Sequence, residues 1–137
     1  MPEGCWIGVD PGSKYVGVAV GDAASNVASP LKVLDARPEG ALLAGLRRVA
    51  RDHAAAGFVV GLPLNMDGSE SPGCKTARTF AEKLGTASKL PVELVDERLT
   101  SFEAEGMLID AGLKPSERKM RVHAVSAALL LTAFFNA

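Results

Sequence analysis

The sequence predicts an α/β fold built on a five-stranded mixed sheet: an antiparallel meander of strands 1–3, parallel strands 4 and 5, and about four flanking helices. Three observations carry this expectation. Two apolar, largely β-branched runs, residues 7–10 and 15–20, stand either side of Pro11-Gly12-Ser13-Lys14, the spacing of a hairpin. After residue 38, short apolar runs alternate with stretches of helical periodicity, as in a parallel section of sheet joined by helices. The 137 residues, 47% of them hydrophobic, suit a single domain, residues 1–137. A domain near this size buries roughly 68–70% of its unfolded surface.

In chain order, strands are expected at residues 6–10, 15–22 and 27–34, the third interrupted by Pro30. Residues 38–55 carry Leu42, Leu43, Leu46, Val49 and Ala50 at i, i+3, i+4 and i+7 spacings, with Arg47, Arg48 and Arg51 between them, which makes an amphipathic helix. Residues 57–62 read as a short, fully buried strand. Residues 71–84 form a second helix with Ala77, Phe80, Ala81 and Leu84 on one side, Ser71 as its cap and Pro72 at its first position. Residues 91–96 are the fifth strand. A third helix is expected at 102–111, with Thr100 and Glu103 as a capping box, and a fourth at 121–135. Between them, residues 112–119 are polar, contain Pro115 and read as the clearest flexible segment.

Composition narrows the function classes. A formal net charge of −1 is not that of a protein coating nucleic acid non-specifically. Contact with phosphates must come from a local patch, and Lys114, Arg118, Lys119 and Arg121 against Glu117 give a net +3 within residues 112–123. Cys5 and Cys74 are too few for a disulfide framework, and no Cys-x-x-Cys pair suggests zinc. No apolar run approaches the roughly 20 residues of a membrane span, and the start lacks a charged n-region. The expectation is a cytoplasmic protein without a membrane segment.

Candidate chemistry collects at predicted strand ends, where open α/β sheets bind their ligands. Asp10 closes the first strand, and Asp96-Glu97-Arg98 follows the fifth. If those ends cluster, Asp10 and Glu97 face each other although 87 positions apart. Two close carboxylates repel unless one is protonated or a cation neutralises them, and oxygen donors favour Mg²⁺ or Mn²⁺. Such a site suits phosphodiester hydrolysis. Taken alone, Asp10 equally fits a turn-capping aspartate, and Glu97 a surface ion pair. The loop 62–68, running into a helix with Lys75 and Arg78 in its first turns, resembles an anion cradle in which Asn65 could donate to phosphate, or an ordinary turn. His123 begins the apolar face of the last helix, followed by Ser126, Ala127, Leu130 and Phe134. His53 lies near a helix C-terminus and is assigned no chemistry.

With these residues in place, the chain resembles the YqgF/RuvX family, RuvC-like proteins of the RNase H-like fold, described as pre-16S rRNA nucleases and in some members as Holliday-junction resolvases. The resemblance rests on GVDPGSKYVGVAVGD (8–22), VVGLPLNMDGSE (59–70), VDERLTSFEAE (95–105) and KMRVHAVSAALLL (119–131), which occur in order over nearly the whole chain. It implies an RNase H-like sheet and a metal-dependent endonuclease using Mg²⁺ or Mn²⁺ on pre-rRNA or branched DNA, as a monomer or homodimer. It also implies that Asp10 and Glu97 hold the metal and that Asn65 and Arg98 lie in the substrate cleft. Lys14, Lys75, Lys119 and Arg121 are the further candidates for phosphate contact. At the third catalytic position the family usually has aspartate; here it is His123, a third ligand or a general base. Related RuvC resolvases can place histidine at a similar point but carry aspartate three residues later, where this chain has Ser126.

Overall fold

A computed structural model of the protein describes residues 2–98, 112 and 114–137, Glu117 by its backbone only. The strands are β1 (Cys5–Asp10), β2 (Tyr15–Asp22), β3 (Val27–Asp35), β4 (Gly57–Leu62) and β5 (Val92–Asp96); the helices are α1 (Glu39–Asp52), α2 (Pro72–Ser88) and α3 (Pro115–Phe135). The sheet order is β3-β2-β1-β4-β5. β1 pairs antiparallel with β2 and β2 with β3, while β1, β4 and β5 run parallel. The expected mixed RNase H-like sheet is therefore present, with three helices among the described residues. The helix expected at 102–111 and its capping box lie outside them.

Strand alternation divides the core into two layers. Ile7, Val9, Val16, Val18, Phe58 and Val60 face one way, onto Leu42, Leu46 and Val49 of α1 and Phe80 and Leu84 of α2. Trp6, Ala19 and Val59 face the other way, onto Ala127, Ala128, Leu130 and Leu131 of α3. α3 lies close against this second face because the strands carry glycine there. A Cβ on Gly17 would sit 1.9 Å from the His123 carbonyl oxygen, so only glycine fits. This contact fixes the N-terminal half of α3 over the β1–β2 hairpin.

Several boundaries differ from the expectation. α1 is shorter: Pro38 is its N-cap, and Ala54, with φ 49°, follows its C-cap His53. α2 runs one turn further, to a left-handed Lys89. The Ser71 hydroxyl does not cap it but donates to the Pro63 carbonyl. β3 continues through Pro30 as an edge strand, and the ladder shifts at Leu31, between the Ala19–Pro30 and Val18–Lys32 pairs. The largest correction concerns residues 112–119. From Pro115 onward they are helical, because proline at the first helical position has no N–H to lose and the Arg118 N–H already bonds the Lys114 carbonyl at 3.0 Å. Among the described residues no helix is long and apolar enough to cross a membrane.

Candidate active site

Asp10 ends β1, paired with Gly17 across the hairpin, and is 7% exposed. Glu97 is the first residue after β5, held by its N–H to the Leu62 carbonyl at 3.2 Å. β4 lies between these two strands, and the side chains still meet: the Asp10 and Glu97 carboxyls share a hydrogen bond. Gly61 of β4 leaves the space for this. A Cβ there would sit 2.4 Å from Glu97 Oε2 and 3.0 Å from Leu130 Cδ1. Burial first, then the hydrogen bond and negative charge of Glu97, push the Asp10 carboxyl up from 3.8 to about 8. The pair therefore retains a proton at neutral pH until a cation neutralises it.

His123 stands on the hairpin side of α3. Its ring centroid is 6.0 Å from that of Tyr15, and its Cε1 lies 3.9 Å from where a Cβ on Gly12 would be. Burial lowers its pKa, which keeps the imidazole neutral at pH 7 and able to accept a proton. Among the described residues, no three His, Cys, Asp or Glu side chains stand close enough to hold one ion. The structure thus brings Asp10 to Glu97 and does not gather His123 with them. Gly12 is required by the hairpin itself, since its Cβ would meet the Tyr15 carbonyl oxygen at 2.5 Å. Ser126, fully buried, has a hydroxyl without a hydrogen-bond partner among the described residues; it lies one turn before Leu130, which reaches Gly61 beside Glu97.

The loop after β4 bonds largely to itself. Three of its N–H groups are spent internally: Asn65 on the Ser69 carbonyl, Gly68 on the Asn65 carbonyl, Ser69 on Asp67 Oδ1. Asn65 Nδ2 donates to Ser69 Oγ at 3.0 Å, so this side chain shapes the loop. Arg98 ties the loop to β5, donating to Asp96 Oδ2 at 2.7 Å through Nε and to the Met66 carbonyl at 3.1 Å through Nη1. The Arg98 side chain and N–H, both bonded to Asp96, hold its carboxyl below the ordinary range. Arg78 pairs with Glu70 at 2.9 Å. Lys14 lies over the Tyr15 ring, 5.5 Å from its centroid, while Lys75, Lys119 and Arg121 are exposed. Lys75 borders the same cavity as Glu97, between α1 and α2. Sequence reasoning missed that cavity and the part played by Gly61, because both depend on the strand register and the helix packing.

Comparison with known proteins identifies the family and the fold. A family model, RuvX, Holliday junction resolvase, matches residues 4–137. A protein of Anaeromyxobacter dehalogenans named "Putative pre-16S rRNA nuclease" is 44% identical over 130 residues, covering 95% of each chain. A protein of the same name from Chloroflexus aurantiacus is 37% identical over 131 residues, 96% of this chain and 86% of that one. In structure, the chain is similar to Thermus thermophilus RuvC in complex with a Holliday junction substrate, with TM-score 0.61, 18% identity and coverage of 96% and 93%. It is also similar to the fowlpox virus resolvase bound to Holliday junction DNA, with TM-score 0.57, 12% identity and coverage of 96% and 97%. These last two share its fold. With the family model spanning the sheet, the acid pair and α3, the chain belongs to the RuvX (YqgF) family of nucleases.

Proposed function

We propose that the protein is a divalent-metal-dependent endonuclease that hydrolyses phosphodiester bonds in structured nucleic acid, with the 5′ end of pre-16S rRNA as its first substrate and four-way DNA junctions as its second. The observation that carries the reading is the buried Asp10–Glu97 pair. Two carboxylates share a proton at the carboxyl ends of parallel strands, an arrangement that is costly in a purely structural role. Hard oxygen donors of this number suit a hydrated Mg²⁺ or Mn²⁺, which takes one or two carboxylates and completes its shell with water and substrate phosphate. Bound there, the ion would supply an activated water and neutralise charge on the leaving 3′-oxygen. Asp10 and Glu97 would hold it, giving up their shared proton to solvent. His123, neutral and apart from the pair, accepts a proton from the attacking water. Lys14, Lys75, Lys119 and Arg121 attract the phosphates, while Asn65 and Arg98 keep the loop beside the cleft in place. The names of the relatives support the rRNA substrate, and the same reading puts the protein in the cytoplasm. Cutting a symmetric junction would call for a homodimer with two sites; trimming rRNA needs only a monomer.

The test is a cleavage panel of a pre-16S rRNA leader, a four-way junction and single-stranded RNA, each with Mg²⁺ and Mn²⁺. Asp10→Asn should abolish cutting while the protein remains folded; undiminished cleavage by that variant overturns the site. A second reading follows from His123, which stands where the family usually has a third carboxylate: a nucleic-acid-binding protein of the same fold in which catalysis is weakened or lost. Binding without cleavage under either metal, in wild type and in His123→Asp alike, would favour it.

A further inference from the structure

We infer that the cavity between α1 and α2 is a nucleotide subsite, which receives one unpaired nucleotide adjoining the scissile phosphate. This deepens the nuclease reading and rests on it. The cavity measures about 640 Å³, within the range of sites that enclose small ligands. Glu97 of the acid pair, with Pro11 and Gly12, forms its edge, and from there it runs along the opposite face of the sheet from α3. Its floor is apolar: Val16, Leu42, Ala77 and the Phe80 ring are all buried. One wall is a helical stripe of α2, on which Thr76, Thr79 and Lys83 recur at i, i+3 and i+7.

The charges favour an anionic, flat guest. Lys75 and Arg37 stand at the rim, and Lys83 closes one side through its 2.9 Å ion pair with Glu39 of α1. Lys75 and Lys83 are eight residues apart, about 12 Å along the helix. That length fits a base with its ribose and phosphate. α2 begins against the end of β4, since a Cβ on Gly73 would lie 3.1 Å from Pro63 Cγ, and the Glu97 N–H bonds the neighbouring Leu62 carbonyl. Glu97 belongs both to the acid pair and to the cavity edge, so a phosphate held at the pair has its neighbour at the mouth of the cavity. Apolar floor, threonine hydroxyls and rim cations are the elements with which proteins hold a base out of its stack, and a paired base cannot enter. The preferred substrate is thus unpaired next to the cut.

The experiment uses the full chain and a fluorescein-labelled 12-nucleotide RNA, with an abasic residue walked through each position. Affinity is read by anisotropy without divalent metal, so that no cleavage enters. In wild type, one position should weaken binding about tenfold when abasic. Thr79→Trp, on the exposed helix surface, fills the cavity; it should bind intact RNA about tenfold more weakly and lose the abasic effect. Thr76→Trp on the same wall should behave alike and guards against a folding defect in either variant. Equal affinities at every abasic position of wild type overturn the subsite, as does an unchanged abasic profile in both variants. Tight binding of free AMP or UMP without any abasic effect also overturns it and makes the cavity an effector site. If the abasic profile holds while no RNA or junction is cut under Mg²⁺ or Mn²⁺, the subsite stands and the nuclease reading falls.

Discussion

Asp10→Asn should make the protein more stable at neutral pH while removing its activity. The amide keeps the shape of the carboxylate and can still donate to Glu97, but it cannot ionise. In the wild type the folded Asp10 carboxyl is pushed up to about 8, against 3.8 ordinarily. Between those values the folded state binds a proton that the unfolded chain has released, so stability falls as pH rises and levels off above pH 8. The interval from 3.8 to pH 7, at about 1.4 kcal/mol per pH unit, sets a ceiling of about 4 kcal/mol. The effective dielectric of a strand-end site and rearrangement of Glu97 reduce the expected gain to about 2 kcal/mol. Urea unfolding in EDTA at pH 5, 6, 7 and 8 measures it. The variant's advantage should be small at pH 5 and largest at pH 7–8, with an unchanged m-value. Millimolar Mg²⁺ should then stabilise the wild type and leave the variant unmoved. A variant less stable than wild type at pH 7–8, or an advantage that does not vary with pH, refutes the proton-sharing account.

Gly61→Ala should displace the Glu97 carboxylate, because its Cβ would come within 2.4 Å of Oε2; cleavage falls at least tenfold, with a smaller loss of stability than the next variant shows. Gly17→Ala sets a Cβ 1.9 Å from the His123 carbonyl and should cost about 3 kcal/mol or more in urea unfolding, since backbone of α3 must move. Ser126→Ala removes a buried hydroxyl with no partner among the described residues and should raise stability by about 1 kcal/mol, read as a higher urea midpoint. His123, its pKa lowered by burial, should give the rate profile an acid limb below pH 6.5 that His123→Gln abolishes.

The sheet and its acid pair were legible because both interrupt a pattern. Asp10 and Glu97 close apolar runs, and a carboxylate at such a place needs a reason that hydrophobic periodicity does not give. Gly61 was legible only as a residue, since its purpose appears when β4 is inserted between β1 and β5 and two side chains must pass over it. The start of α3 was hidden for the opposite cause. Ser116, Lys119, Met120 and Arg121 are exposed, so the first turns carry no apolar stripe to announce a helix. The loop 62–68 stayed open between two readings because Asn, Asp, Gly and Ser form anion-binding turns and self-bonded turns alike. The direction of three N–H groups favours the self-bonded turn, and composition does not encode it.

His123→Asp separates what this position does from what the family's usual residue there would do. An aspartate on this face of α3 adds a third negative group to a region where Asp10 already retains a proton against Glu97. Without metal, the added repulsion should lower stability by about 1 kcal/mol at pH 7, and that loss should vanish on adding Mn²⁺. Metal affinity, measured by calorimetry, should rise. The rate is the deciding quantity. As a general base the neutral imidazole has a pKa far closer to working pH than a carboxylate, and a positioned base contributes on the order of 10²–10⁴ in rate. Single-turnover cleavage by His123→Asp should therefore slow at least tenfold even at saturating metal, despite the tighter ion. A faster enzyme would overturn the base assignment, because it would show that this position limits the reaction through metal occupancy and that the imidazole takes no proton.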